Sequence, residues 1–308
     1  MNSKKINRAF LVSIILYILL LACGGFFFPL LFSNIIVNNI LCEAVIALPV
    51  LITVALSKEK MTRFLGFKKI KLTSLLAVIP FTMFSMPLIT LVNLISQFWV
   101  RNEAVAMMEG YQVTELPFVL MLLSVGVFAP FCEEAVCRGA YYRGYRKSGS
   151  AFKAMLLSSL LFALVHMNIN QALYAFVMGI LAVLLVEATG SLWASVFYHC
   201  LINSSQVAIL YGTLKLNPLA DSGETALSGN LLLYSVGVYL LITAVTLPLA
   251  WALLVWISQN EGRKGILPSL WRERKYKKDK MVTVSLIPAL ILCAAVMIGT
   301  LAVYFLPF

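Results

Sequence analysis

The sequence predicts an all-α polytopic membrane bundle of about nine transmembrane helices with a cytoplasmic N-terminus. Three observations carry that expectation. Of 308 residues, 61% are hydrophobic and only 12% charged, against about 45–50% and about 25% in soluble domains. The apolar residues fall into runs of spanning length. The basic residues gather in alternate gaps between those runs. Together these exclude a soluble globular domain, a disordered chain and a secreted disulfide scaffold.

The nine apolar segments are 9–33, 35–57, 73–97, 116–137, 152–168, 171–188, 191–211, 230–257 and 283–306. Lys4, Lys5 and Arg8 precede the first. Leu20-Leu21-Ala22-Cys23 faintly resembles a lipoprotein cleavage site, but the apolar run continues to Phe32, as an uncleaved span would. A basic cluster, Lys58 to Lys71, follows the second segment. The third ends before Arg101 and an acidic stretch with Glu103, Glu109 and Glu115. The fourth ends before Arg138, Arg143, Arg146 and Lys147, and the fifth and sixth are short for spans. Beyond the seventh lie Lys215, Asp221 and Glu224. Between the eighth and ninth, the segment 258–280 holds eight basic residues with Trp271 and Tyr276. With the N-terminus inside, 22 of the 24 basic residues fall on the inner side, Arg101 and Lys215 being the exceptions.

The net charge of +11 is thereby explained by orientation, and no nucleic-acid partner is expected. The 258–280 loop is expected as a solvated segment that sets topology, or as a contact for anionic lipids, each basic residue contributing about 1 kcal/mol. The six cysteines lie in apolar runs without CxxC spacing, so neither a disulfide framework nor a thiolate zinc site is indicated. No internal repeat of the inverted-transporter kind is present. The chain divides into N-terminal helices 1–115, a core 116–211 and C-terminal helices 212–308 with the basic loop.

Ionisable groups inside a bilayer are costly and need a reason. Glu43, Glu133, Glu134 and Glu187 lie in or near spans, as do both histidines, His166 and His199. On a helix, Glu134 and Arg138 are four apart and can pair, whereas Glu133 is rotated about 100° away. One carboxylate is thus neutralised and its neighbour left free to accept a proton. Pro130 removes a backbone hydrogen bond one turn earlier. Phe162 and His166 share one helix face, and His199 and Asn203 another, where two donors can point at one oxygen. A packing contact between helices would explain each feature singly. Their coincidence within residues 133–203 argues for a site. By helix rise these boundaries set Glu133 roughly 6 Å, His199 roughly 13 Å and His166 roughly 20 Å from the inner face. The groups converge only if the spans tilt, the fourth helix runs deeper than 137, or the fifth span starts below the membrane face.

Glu-Glu-x-x-x-Arg, Phe-x-x-x-His and His-x-x-x-Asn in this order resemble the CPBP family. It comprises CAAX prenyl proteases of the Ras-converting type with the bacterial Abi and lysostaphin-resistance proteins. Phe176, Gly179 and Gly190-Ser191-Leu192-Trp193 are similar to the family's spacer, and the resemblance covers about 120–211. It implies an intramembrane endopeptidase acting on peptide or membrane-protein substrates. Glu133 would then be the general base and His166 its partner on the water. His199 and Asn203 would stabilise the oxyanion, with Glu134, Arg138 and Phe162 supporting. The family has been described both as glutamate-type and as metal-dependent. No cofactor is required in the first case, and Zn²⁺ on Glu133, His166 and His199 is the alternative. The compact chain and its basic loops point to a bacterial plasma membrane. A catalytically silent immunity or scaffold protein, a transporter, and haem held by the two histidines are the competing readings. Glu43 and Glu187 stay unassigned.

Overall fold

The computed structural model describes residues 3–28, 33–57, 60–102, 116–216, 229–276 and 278–305. Eleven helices follow in chain order: α1 Ser3–Phe27, α2 Ile35–Ala55, α3 Met61–Leu65 and α4 Leu72–Ser96. Then come α5 Phe118–Arg146, α6 Ala151–Leu164, α7 Ile169–Thr189 and α8 Leu192–Leu216. The last are α9 Gly229–Asn260, α10 Ile266–Arg272 and α11 Leu286–Phe305. There is no strand among the described residues. Each of the nine apolar segments overlaps a helix of the described residues. Among the described residues six helices, α1, α2, α4, α5, α7 and α9, are long and apolar enough to cross a membrane, and α6 and α11 are shorter apolar helices. Glu103, Glu109, Glu115, Asp221, Glu224, Lys58, Lys277 and the Lys215 side chain lie outside what is described.

Helix α1 packs along α2, α4 along α9, α6 along α7, and α8 along α5. The outward faces remain apolar, as Leu233, Leu241 and Val245 on α9 illustrate. Such a surface suits lipid, where every backbone group must be satisfied within the helix. Buried Tyr141, Tyr145, Phe81, Phe162 and Tyr198 fill the interior.

Three features depart from the sequence expectation. Helix α5 runs nine residues past 137, to Arg146. Its basic residues are compatible with a helix inside the bundle because they are partnered: Arg138 is buried on Glu134, and Arg143 donates to the Gly190 carbonyl. Glu133 therefore sits about 20 Å from the end of its helix by the 1.5 Å rise, which removes most of the depth mismatch with His166. Helix α6 stops at Leu164, so His166 lies in the turn beyond it rather than on the helix. The segment 258–280 is largely folded: Leu267 and Leu270 of α10 are buried, and the Lys278 and Asp279 amides donate to the Ser148 carbonyl. Trp271 packs edge-on against Phe152 and carries the Arg274 guanidinium 4.2 Å above its ring.

Tight reversals set the lengths of the central helices. Ser150 caps α6 by accepting from the Lys153 amide, and Asn168 caps α7 by accepting from the Gln171 amide. Between α6 and α7, Met167 adopts a left-handed φ of 55°, which costs a non-glycine residue roughly 1–2 kcal/mol. Gly190 ends α7 with φ 73°, a conformation suited to glycine. The Leu192 amide then donates to the Gly66 carbonyl, bracing the start of α8 against the segment after α3.

Candidate active site

Helix α5 is built from regular turns interrupted by two wider ones, Leu122–Phe128 and Ala135–Tyr142. Pro130 has no N–H to offer the carbonyls of Val125 and Gly126, one turn back. Helix α8 supplies the donors instead. Asn203 Nδ2 donates to the Val125 carbonyl at 3.2 Å, and Ser204 Oγ to that of Gly126 at 3.3 Å. A Cβ on Gly126 would stand 2.7 Å from Ser204 Oγ, so glycine permits the two backbones to meet here. This seam sets His199, one turn before Asn203, beside the two glutamates of α5.

Glu134 and Arg138 form the expected ion pair, with Arg138 Nη1 2.7 Å from Glu134 Oε1. The same carboxylate oxygen accepts from His199 Nδ1 at 3.0 Å. That bond puts a proton on Nδ1 and turns Nε2 toward the cavity. His199 Nε2 stands 3.4 Å from Glu133 Oε2. His166 reaches the other oxygen in the same way. Its Nδ1 donates to the Phe162 carbonyl at 2.8 Å, and its Nε2 lies 3.9 Å from Glu133 Oε1. Both imidazoles thus have the far nitrogen occupied and the near one turned to a single carboxylate. Glu133 and His166 are each 17% exposed and His199 only 3%, which leaves the first two accessible and the third held as a fixed wall.

Phe162 does more than pack beside His166. Its ring meets His166 edge-on at 5.0 Å and His199 at 5.7 Å. Its face receives the Arg138 guanidinium at 4.2 Å. One aromatic side chain thereby orients both imidazoles and the cation of the supporting pair.

Glu133, His166, His199 and Asn203 line a common cavity of about 290 Å³. Glu43 of α2 lines it too, and its charge interacts with that of Glu133. No sequence motif includes Glu43; its one signal was that it is an acid inside an apolar span. Glu187 is placed elsewhere. It accepts from Tyr142 Oη at 2.6 Å and lies 3.7 Å from Arg146 and 3.6 Å from Arg263, joining α5, α7 and the segment before α10.

Two imidazoles and a carboxylate are suitable zinc donors in kind, and their outer nitrogens are held by a carbonyl and a carboxylate as metal ligands commonly are. Among the described residues, however, no group of three or more His, Cys, Asp and Glu side chains gathers at metal-holding spacing.

Residues 115–205 match the family of type II CAAX prenyl endopeptidases described as Rce1-like. A curated Bacillus subtilis (strain 168) protein, named "Putative membrane peptidase YdiL", is 27% identical over 85 residues. That similarity covers 28% of this chain and 35% of the relative, so the chain spans about a third of the length of the relative it matches. No solved structure matches the chain. Every residue of the three motifs falls inside the matched segment, and it is over residues 115–205 that the chain resembles the Rce1-like CAAX prenyl endopeptidases.

Proposed function

We propose that the chain is an intramembrane endopeptidase that hydrolyses peptide or membrane-protein substrates with a water activated by Glu133. The observation that carries this reading is the convergence of both histidine Nε2 atoms on the two oxygens of one cavity-lining carboxylate. A separation of 3.9 Å between His166 and Glu133 is longer than a direct hydrogen bond and suits two acceptors that share a water's protons.

In the first step the water oxygen attacks the peptide carbonyl carbon while Glu133 takes one water proton. His166 Nε2 accepts from the remaining O–H and holds the nucleophile in line. The tetrahedral intermediate places a negative oxygen near His199 and Asn203. Asn203 uses one N–H on Val125 and has a second to give. His199, an imidazolium between Glu133 and Glu134 before and after this step, donates from Nε2. Glu133 then passes its proton to the leaving nitrogen, the C–N bond breaks, and the products are a carboxylic acid and an amine. Glu134 and Arg138 hold the His199 ring in place and take no proton.

This reading places the enzyme in a bacterial plasma membrane with its N-terminus cytoplasmic and the 258–280 segment against anionic lipid. A peptide-library cleavage assay on purified wild type and the Glu133→Ala, His166→Ala and His199→Ala variants tests it, with and without chelator. Loss of cleavage in all three folded variants supports the assignment. Chelator sensitivity of the wild type would replace the glutamate mechanism with a metal-assisted one. A wild type that cleaves nothing, with a cellular phenotype surviving all three substitutions, would favour the immunity or scaffold reading.

A further inference from the structure

Glu43 is an acid without a counterpart. It is 7% exposed, sits midway along an apolar helix, and makes no hydrogen bond or ion pair among the described residues. Its carboxylate lines the cavity that holds Glu133 and interacts with that group electrostatically. Among the described residues no lysine or arginine lines this cavity. Arg138, on the same helix as Glu133, is consumed by Glu134 and the face of Phe162. Glu133 has His166 and His199 as neighbours; Glu43 has none of these. A buried carboxylate left in this state is costly unless a positive charge joins it.

We propose that Glu43 is a specificity residue that receives a basic group of the substrate, a lysine or arginine side chain or a free amine, close to the scissile bond. The inference rests on the hydrolase reading and deepens it. A cation in this cavity neutralises Glu43 without touching the ion pair that orients His199. Its arrival also offsets the repulsion between the charges of Glu43 and Glu133. An apolar residue at the same subsite would leave both acids facing each other. Location on α2, outside residues 115–205, separates this subsite from the motif residues and lets selectivity vary independently of the chemistry.

Two peptides of identical sequence, with lysine or uncharged norleucine beside the cleaved bond, provide the test on the full-length protein in detergent. The wild type is expected to prefer the lysine peptide in kcat/KM, with Glu43→Gln lowering that preference ratio at least tenfold. Glu43→Asp, which keeps the charge, retains the preference and guards against a mere folding defect. Binding of the same peptides to Glu133→Gln, followed by fluorescence anisotropy, gives a readout that does not need turnover. Glu43-dependent preference for lysine in binding, without cleavage by the wild type, would uphold the subsite and refute the hydrolase reading. Cleavage with no lysine preference, or an equal loss on both peptides in Glu43→Gln, would overturn the subsite alone. Zinc retained by the wild type and lost in Glu43→Gln would assign the carboxylate to a metal and also overturn it.

Discussion

Replacing Arg138 by methionine tests whether the ion pair behind the site is structural, and its cost can be worked from the contacts. Arg138 is 1% exposed and Glu134 fully buried, so the substitution leaves a desolvated carboxylate. Breaking a buried pair from one side costs about 3–5 kcal/mol. Glu134 keeps one partner, His199 Nδ1 at 3.0 Å, which argues for the lower end. The lost guanidinium contact with Phe162 adds about 1 kcal/mol. The expected destabilisation is therefore about 3–4 kcal/mol. Adding Glu134→Gln removes the stranded charge while keeping an acceptor for His199, so the double variant should recover about 2 kcal/mol. Equilibrium unfolding in mixed detergent micelles, on the two single variants and the double, completes the cycle. A single Arg138→Met loss under about 1 kcal/mol, or strictly additive effects, would refute the idea that a buried pair holds His199 in place.

Three further outcomes are expected. Glu133→Gln should retain the fold and lose at least about a hundredfold in cleavage rate, the range that general-base removal commands; a residual rate within tenfold of wild type would remove Glu133 from that role. Gly190→Ala should cost about 1–2 kcal/mol because alanine is strained at positive φ, and thermal unfolding reads it directly. Glu187→Ala should loosen the join between α5, α7 and the segment before α10, visible as faster amide exchange over 258–272, while the ratio of cleavage rates among peptides stays as in wild type.

Much of the site was legible because it is written in local spacing. The Glu134–Arg138 pair lies four residues apart on α5, and the Phe162–His166 contact spans four residues across the end of α6. The end of α5 was not legible. Arg138, Arg143 and Arg146 resemble a loop until their partners are known, and those partners include Glu187 and Gly190, far along the chain. The bond from His199 to Glu134 spans 65 residues, so no periodicity announces it. Glu43 is the clearest omission. It lies ninety residues before Glu133 in an apolar run, and the folded chain alone puts the two acids in one cavity. The basic segment 258–280 misled in the opposite direction, since charge masked the amphipathic turn that buries Leu267 and Leu270.

The seam between α5 and α8 has an evolutionary consequence. Asn203 and Ser204 bind main-chain carbonyls, which every residue type possesses. Apolar side chains along α5 can therefore drift widely while the helix stays in register with its neighbour. Length is a different matter. One residue inserted or deleted between Gly126 and Glu133 would swing the Glu133 carboxylate by about 100° around the helix axis, away from both imidazoles. Lineages that keep this arrangement should accumulate substitutions freely in that stretch and tolerate no change in its number of residues.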